Sequence, residues 1–114
     1  DLNKPVNIVE GPIDSLFLDN CIAMAGADVS LKIPTDQCTM IFDNEPRNEQ
    51  IVNRMIDAVH KNYKVVIFPE SLKYKDINDM VIHKNELGDV SKLIYNNRQN
   101  GLAALQSINK WKRI

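Results

Sequence analysis

The sequence predicts an α/β fold in which a mainly parallel four-stranded sheet is flanked by helices and followed by C-terminal helices. Four short apolar runs, at residues 6–9, 21–24, 38–42 and 64–68, suit strands that are buried on both faces. Segments with the apolar spacing of helices lie between and after these runs. Strands that alternate with helices are typical of parallel sheets with right-handed crossovers.

The length and composition bound the class of protein. The chain has 114 residues, enough for a single domain with its own core. No apolar run approaches the roughly 20 residues that span a bilayer, and no signal-peptide pattern opens the chain. Since the first residue is Asp1 rather than Met, we expect this chain to be a piece of a longer protein.

The net charge of −1 hides an asymmetry between the two halves of the chain. Residues 1–57 carry ten acids and four bases, whereas residues 58–114 carry five acids and ten bases. This division fits a cation site beside a surface that faces a polyanion, and it also fits ordinary scatter of surface charge.

Cysteine and histidine give no metal pattern. Cys21 and Cys38 lie in apolar stretches without the spacing of metal ligands, so we expect buried, reduced thiols. His60 and His83 have no partner motif, and we expect them at the surface or at helix ends rather than on zinc.

The first half of the chain contains one predicted helix and one ambiguous segment. Pro12 suits the first turn of a helix over residues 12–19, which Asn20 would end. Pro34 forbids a regular strand interior, so residues 29–36 are interpreted as a loop or a short helical turn.

The clearest amphipathic helix follows the third strand. Ile51, Met55 and Val59 recur at helical spacing on one stripe, with polar residues on the other face. Pro46 is predicted at a first helical position, and Asn62 is predicted to end the helix. Three further helices are predicted at residues 76–84 (capped by Asp76), 89–97 and 101–111.

Acidic residues follow three of the predicted strands. Glu10 follows the first, Asp43 and Glu45 follow the third, and Asp76 and Asp79 lie after the fourth. The carboxyl ends of parallel strands share one edge of a sheet, so these acids are expected to converge there. Converging carboxylates without Cys or His ligands favour Mg²⁺ or Mn²⁺. For any single acid, a local role at a helix start or in a solvated turn is at least as good an explanation.

These acids stand in motifs that resemble a known family. The sequence EGPID at residues 10–14 resembles the first motif of the Toprim domain, the catalytic fold shared by DnaG-type primases, type IA and type II topoisomerases and related nucleases. DNE at residues 43–45 is similar to its second motif, usually Asp-x-Asp. KDINDM at residues 75–80 is similar to a segment of the primases, and within the family the likeness is greatest to primases of T-even-type bacteriophages.

The resemblance implies roles for individual residues. Glu10 would be a metal ligand or proton-transfer group, Asp43 and Glu45 would hold divalent metal, and Asp76 would add to the same cluster. Asp14 and Asp79 would be supporting acids. The reaction implied is nucleotidyl transfer from nucleoside triphosphates, which makes RNA primers on single-stranded DNA during replication.

Basic residues near the motifs are candidates for phosphate contacts. Arg47 and Lys75 adjoin the acidic motifs. Lys73 is also a candidate, although for this residue on its own a solvated surface lysine is the favoured explanation. We expect a single catalytic domain over residues 1–114, with a core at about 6–85 and a C-terminal helical segment at about 86–114. The resemblance further implies a longer primase in the host-cell cytoplasm, with a replicative helicase as a partner of the C-terminal helix; packing of that helix is the favoured alternative.

Two other functions remain open on the sequence alone. A Toprim nuclease or topoisomerase fragment would share the acidic motifs, although Tyr63, Tyr74 and Tyr95 stand in no recognisable motif. A non-enzymatic flavodoxin-like or receiver-like module would share the topology. Receiver domains, however, need a lysine at the end of a late strand, and the fourth strand here ends in Phe68-Pro69.

Overall fold

The computed structural model describes residues 6–9, 21–23, 34–83 and 89–114. Within these ranges the strands are β1 (Val6–Val9), β2 (Cys21–Ala23), β3 (Cys38–Ile41), β4 (Lys64–Val66) and β5 (Arg98–Gln99). The helices in the same ranges are α1 (Glu49–His60), α2 (Ile77–Ile82), α3 (Val90–Asn96) and α4 (Gly101–Trp111), with a 3₁₀ turn at Thr35–Gln37.

The strands form one open sheet in the order β2-β1-β3-β4-β5. β1 pairs in parallel with β2 and β3, and β3 pairs in parallel with β4. The predicted four-stranded, mainly parallel sheet is therefore confirmed, and the arrangement is consistent with an α/β fold of the Toprim type. The additional strand β5 is antiparallel to β4. Its two polar residues carry no apolar signal from which a strand could be predicted.

Strands β3 and β4 are shorter than the apolar runs that predicted them. β1 matches its run, but the ladder of β3 stops before Phe42 and that of β4 stops before Ile67 and Phe68. These three residues are buried all the same. Apolar character therefore reports burial, and the strand ends where the backbone leaves the hydrogen-bonded ladder.

The two ends of α1 are set by asparagines. The prediction that Pro46 occupies a first helical position is wrong, because the side chain of Asn48 accepts the N–H of Ile51 at 3.2 Å and α1 begins after it. At the other end Asn62 has φ of 70°, in the left-handed region. Its N–H donates to Val59 and that of Tyr63 to Ala58, which is the Schellman arrangement, so the predicted helix end is confirmed.

The remaining helices lie close to their predicted positions. Asp76 caps α2 by accepting the N–H of Asp79 at 2.8 Å, as predicted, and Asp89 caps α3. The 3₁₀ turn at Thr35–Gln37 agrees with the short helical turn expected near Pro34. The helix predicted over residues 12–19 and its stop at Asn20 lie outside the described residues.

Two hydrophobic cores cover the two faces of the sheet. On one face α1 and α4 pack against the strands, with Ile8, Met55 and Ile108 almost fully buried. On the other face α2 and α3 cover Val9, and Met80 is fully buried there. Ile8 and Val9 are neighbours on one strand whose side chains enter different cores, as expected of strands that are apolar on both faces.

α4 is a packing helix along one stripe. Ala104, Ile108 and Trp111 are buried against α1 and the sheet, which confirms the preference for packing over docking on this face. Leu105 is partly buried in the same core, whereas Leu102 is 71% exposed. None of the described helices is both long enough and apolar enough to cross a bilayer.

Candidate functional site

The acidic turn, defined here as residues 43–45, follows the carboxyl end of β3. In the parallel pairing of β1 with β3, Val9 lies opposite Ile41, so the carboxyl ends of these two strands are side by side. Glu10, the residue after Val9 in the sequence, lies outside the described residues, as does Asp14. The convergence of Glu10 with the acidic turn therefore stays a prediction.

Asn44, in the middle of the acidic turn, connects it to the segment that follows β4. Its backbone N–H donates to the carbonyl of Lys75. Its side-chain amide donates to the carbonyls of Leu72 and Tyr74, each at 3.0 Å. These three bonds hold the DNE and KD motifs together, although they are distant in the sequence. Sequence reasoning missed this role; the available signal was an amide between two acids, able both to donate and to accept.

The end of α4 is attached to the same turn. The indole Nε1 of Trp111 donates to the side-chain oxygen of Asn44 at 3.0 Å. The backbone N–H of Arg113 donates to the carbonyl of Pro46 at 2.7 Å. The acidic turn therefore contacts both the segment after β4 and the C-terminal helix.

Glu45 is held by a hydrogen bond and an ion pair. Its Oε2 accepts from Nδ2 of Asn48 at 2.9 Å, and its Oε1 lies 3.1 Å from Nζ of Lys75. The hydrogen bond from Asn48, together with that from Lys75 and its charge, lowers the pKa of Glu45 against the opposing effect of burial. The carboxylate of Glu45 is therefore ionised at neutral pH.

Lys75 balances part of the acidic charge. Its hydrogen bond and ion pair with Glu45 raise its pKa, and the charges of Asp43 and Asp76 raise it further. Three of the predicted metal ligands therefore lie close enough to one ammonium group to act on it. The side chain of Lys75 is 61% exposed, so the ion pair is open to solvent. Its predicted contact with phosphate stays a prediction.

Asp76 and Asp79 have local structural roles at the start of α2. Asp76 caps the helix, as described above, and its side chain is engaged by the backbone of Asp79. The carbonyl of Asp79 contacts Nδ1 of His83 at 2.9 Å, and the His83 ring stacks on Tyr74 at 4.4 Å. The local explanation for single acids therefore holds for Asp76, and metal binding by this residue stays a prediction.

The acidic turn offers donors of the type that Mg²⁺ prefers, carboxylate oxygens that are partly exposed and, at Glu45, ionised. Among the residues that the structure describes, no group of three or more His, Cys, Asp or Glu side chains could hold a metal ion. The predicted set also includes Glu10, which the described ranges omit. The donor chemistry fits a divalent cation, and the complete ligand set stays a prediction.

Comparison with known proteins finds a similarity to a DNA primase. No protein-family model matches it. It is 34% identical over 113 residues to the DNA primase of Enterobacteria phage T4, a match that covers 96% of this chain. The chain is therefore similar to one part of a DNA primase. It spans 33% of the length of the T4 primase.

A cavity of about 250 Å³ adjoins the acidic turn. Two of the predicted phosphate-contacting residues, Arg47 and Lys73, line it, together with Arg113. Arg113 was not among the predicted site residues, although a basic cluster around it is visible in the sequence. The other lining residues are Asn44, Pro46, Pro69, Glu70, Leu72 and Trp111.

The burial predicted for Cys38 and the helix-end positions predicted for the two histidines are confirmed. Cys38 is a free thiol fully buried in the core, and desolvation, with a contribution from Asp36, raises its pKa. His60 is the exposed last residue of α1 and His83 ends α2. The side chain of Cys21 lies outside the described part of the chain.

Proposed function

We propose that this chain is the catalytic, Toprim-type part of a phage DNA primase. The proposed reaction is nucleotidyl transfer, in which nucleoside triphosphates are joined into RNA primers on a single-stranded DNA template during replication. The similarity to the T4 primase along 96% of the chain supports this proposal. The observation that supports it most is the hydrogen bonding of Asn44 to Leu72, Tyr74 and Lys75, since these bonds link two acidic motifs that are distant in the sequence.

In this proposal Glu10, Asp43 and Glu45 hold Mg²⁺ or Mn²⁺, and Asp76 belongs to the same acidic set. Asp14 and Asp79 support it. The ion, when bound, supplies charge stabilisation for phosphoryl transfer.

The described side chains prepare the turn for a cation and a phosphate. Asn48 and Lys75 favour the ionised form of Glu45, which binding of a divalent cation requires. Arg47 and Lys73 add positive charge at the cavity beside the turn, where the triphosphate would lie.

The proposal also covers the substrates, the protein partner and the cellular location. Single-stranded DNA and nucleoside triphosphates are the substrates, a replicative helicase in the primosome is a partner, and the cytoplasm of the infected host is the location. Since the chain spans 33% of the T4 primase, template binding is assigned to other parts of the longer protein.

The test is a titration with Mn²⁺ observed by NMR, in which bound paramagnetic ion broadens nearby signals. We expect selective broadening at Asp43, Asn44 and Glu45, and its loss in Asp43→Asn and Glu45→Gln. Asp57 is an exposed carboxylate on α1, so Asp57→Asn is the matched control and should leave the broadening unchanged. Broadening of equal strength at all exposed carboxylates would contradict the metal site.

A second assay separates the primase from the nuclease alternative. Within the full-length protein, Asp43→Asn should lower primer synthesis at least a hundredfold, while Asp57→Asn retains it. Metal-dependent nicking of DNA that Glu10→Gln abolishes, without primer synthesis, would favour a Toprim nuclease instead.

A further inference from the structure

The cavity beside the acidic turn is positively charged, in a chain whose net charge is −1. Three separate segments each bring one cation to it: Arg47 after the acidic turn, Lys73 after β4, and Arg113 after α4. Among the cavity-lining residues that the structure describes, Glu70 is the one carboxylate. A recess with this excess of positive charge attracts and concentrates anions.

Arg113 is fixed in position by the backbone. Its N–H bond to Pro46 holds it next to Arg47. The two hydrogens of its Nη1 are shared among three carbonyls around the end of α4, those of Lys110 at 2.6 Å, Lys112 at 2.9 Å and Trp111 at 3.2 Å. The guanidinium is therefore oriented before any ligand arrives, which lowers the entropic cost of binding.

The other end of this guanidinium already binds an oxyanion. Nη2 of Arg113 lies 2.8 Å from Oε1 of Glu70. The Glu70 side chain is 80% exposed, and exposed ion pairs are weak. A phosphate carries more charge and more acceptor oxygens than a carboxylate, so it is a better partner for the same nitrogen.

Arg47 and Lys73 leave charge available for a ligand. Within the part of the chain that the structure describes, neither forms an ion pair. Both face the cavity that Arg113 lines, so an anion there would meet three cations from different directions. Multivalent anions gain most from such an arrangement.

The size and the position of the cavity restrict the class of ligand that it can bind. Its volume of about 250 Å³ is below the range of roughly 300–1,000 Å³ for pockets that enclose a drug-sized molecule, so a polyphosphate tail fits better than a whole nucleotide. Asn44 lines it and stands between the two acids of the turn, so a phosphate bound there lies beside the proposed cation ligands.

We propose that this cavity binds the polyphosphate tail of a nucleoside triphosphate through Arg47, Lys73 and Arg113, with Glu70 as an internal competitor that the phosphate displaces from Arg113. This inference rests on the proposed function and deepens it, because it assigns a substrate contact to Arg113 and an opposing role to Glu70. Binding is non-covalent and needs no metal ion.

The test uses inorganic tripolyphosphate in the presence of EDTA, with the fluorescence and indole N–H signal of Trp111 as readouts. Trp111 lines the cavity and is the chain's single tryptophan, so both readouts report on the site itself. Arg113→Gln should weaken binding about tenfold, because a charge-assisted phosphate contact is lost. Glu70→Gln should tighten binding about threefold, because the competing carboxylate is removed.

Matched controls come from the exposed ion pair of Asp57 with Lys61 on α1. Asp57→Asn and Lys61→Gln repeat the same charge changes elsewhere and should leave the affinity within about twofold, since surface charges at a distance are screened. The Glu70 variant tests for a gain, so loss of folding in the Arg113 variant cannot imitate the expected result.

Three outcomes would overturn the proposal: no response to tripolyphosphate, equal affinity of the Arg113 variant and the parent, or no gain in the Glu70 variant. A response to single-stranded DNA without terminal phosphates, but not to tripolyphosphate, would assign the cavity to nucleic acid and also overturn it. Because EDTA removes divalent cations, failure here is distinct from failure of the metal site, which the Mn²⁺ titration tests.

Discussion

At the residue scale, the side chain of Asn44 assembles the site. It donates two hydrogen bonds to the segment after β4 and accepts one from Trp111. An aspartate has the same shape but cannot donate, and an alanine can do neither. The residue between the two acids is therefore as specific in its chemistry as the acids themselves.

Asn44→Asp is expected to destabilise the chain. The carbonyls of Leu72 and Tyr74 would lose their donor and face a carboxylate, at a cost of about 2–4 kcal/mol in the free energy of unfolding. Urea denaturation measures this loss. Asn109→Asp, on the exposed side of α4, makes the same chemical change and should cost under about 0.5 kcal/mol. Equal losses in the two variants would show that the Asn44 bonds contribute nothing specific.

Glu45 gives the chain a dependence of stability on pH at the acidic end. Its folded-state pKa lies below the ordinary value of 4.5, so its stabilising contribution is present above that pH and is lost as the pH falls through the folded-state pKa. Glu45→Gln should therefore flatten the fall in stability below about pH 4.5, measured by urea denaturation across the acidic range.

Asn48 has two roles beside the acidic turn: its side-chain oxygen caps α1, and its side-chain amide donates to Glu45. A substitution can separate them. Asn48→Asp keeps an oxygen that can cap α1 but removes the donor to Glu45, so the pKa of Glu45 should rise while α1 stays capped. An NMR titration of the Glu45 carboxyl group measures the rise.

At the element scale, the sequence predicts the middle of an element better than its ends. Apolar spacing located α1, but the helix starts after the Asn48 cap and not, as predicted, at Pro46. The end was predicted correctly because Asn62 is one of the few residue types that tolerate the left-handed conformation. β5 could not be predicted, since it forms only where its two residues meet β4.

The end of α1 can be tested at Asn62. Asn62→Gly should leave stability unchanged or raise it by up to about 1 kcal/mol, because glycine adopts positive φ without steric cost. Asn62→Val should lose at least about 1 kcal/mol, because a β-branched residue is strained there. Thermal unfolding measures both. Lys61→Gly, at the preceding residue with φ of −89°, has no strain to relieve and should be destabilising; stabilisation by that variant would contradict the argument.

At the scale of the whole molecule, the sequence predicted the layers but not the contacts between them. Strands that are apolar on both faces must be packed against helices on both sides, so the continuous apolar runs predicted a core on each face of the sheet. The bonds from Asn44 to Trp111 and from Arg113 to Pro46 join residues far apart in the chain. No periodicity encodes such contacts, and Arg113 was therefore missed as a cavity residue. The place of Glu10 in the site remains a prediction.

The chain by itself is expected to make little or no primer. It spans 33% of the T4 primase and has a net charge of −1, so it offers little electrostatic attraction for a DNA template. The measurement is incorporation of labelled ribonucleotides on single-stranded DNA with Mg²⁺ or Mn²⁺, with the full-length protein as the positive control. Robust template-directed synthesis by the 114 residues would show that they contain the template site as well.

The position of β1 between β2 and β3 has a consequence for how the chain folds. Of the five described strands β1 is synthesised first, and β3 is reached only after the chain has passed through β2 and the 3₁₀ turn. Bringing β1 and β3 together costs chain entropy before burial of the core offsets it. Parallel pairings of this kind therefore form slowly compared with local helical contacts. Until β3 has been synthesised, the apolar strand Val6–Val9 lacks its second partner, and an apolar strand with an unpaired edge favours aggregation.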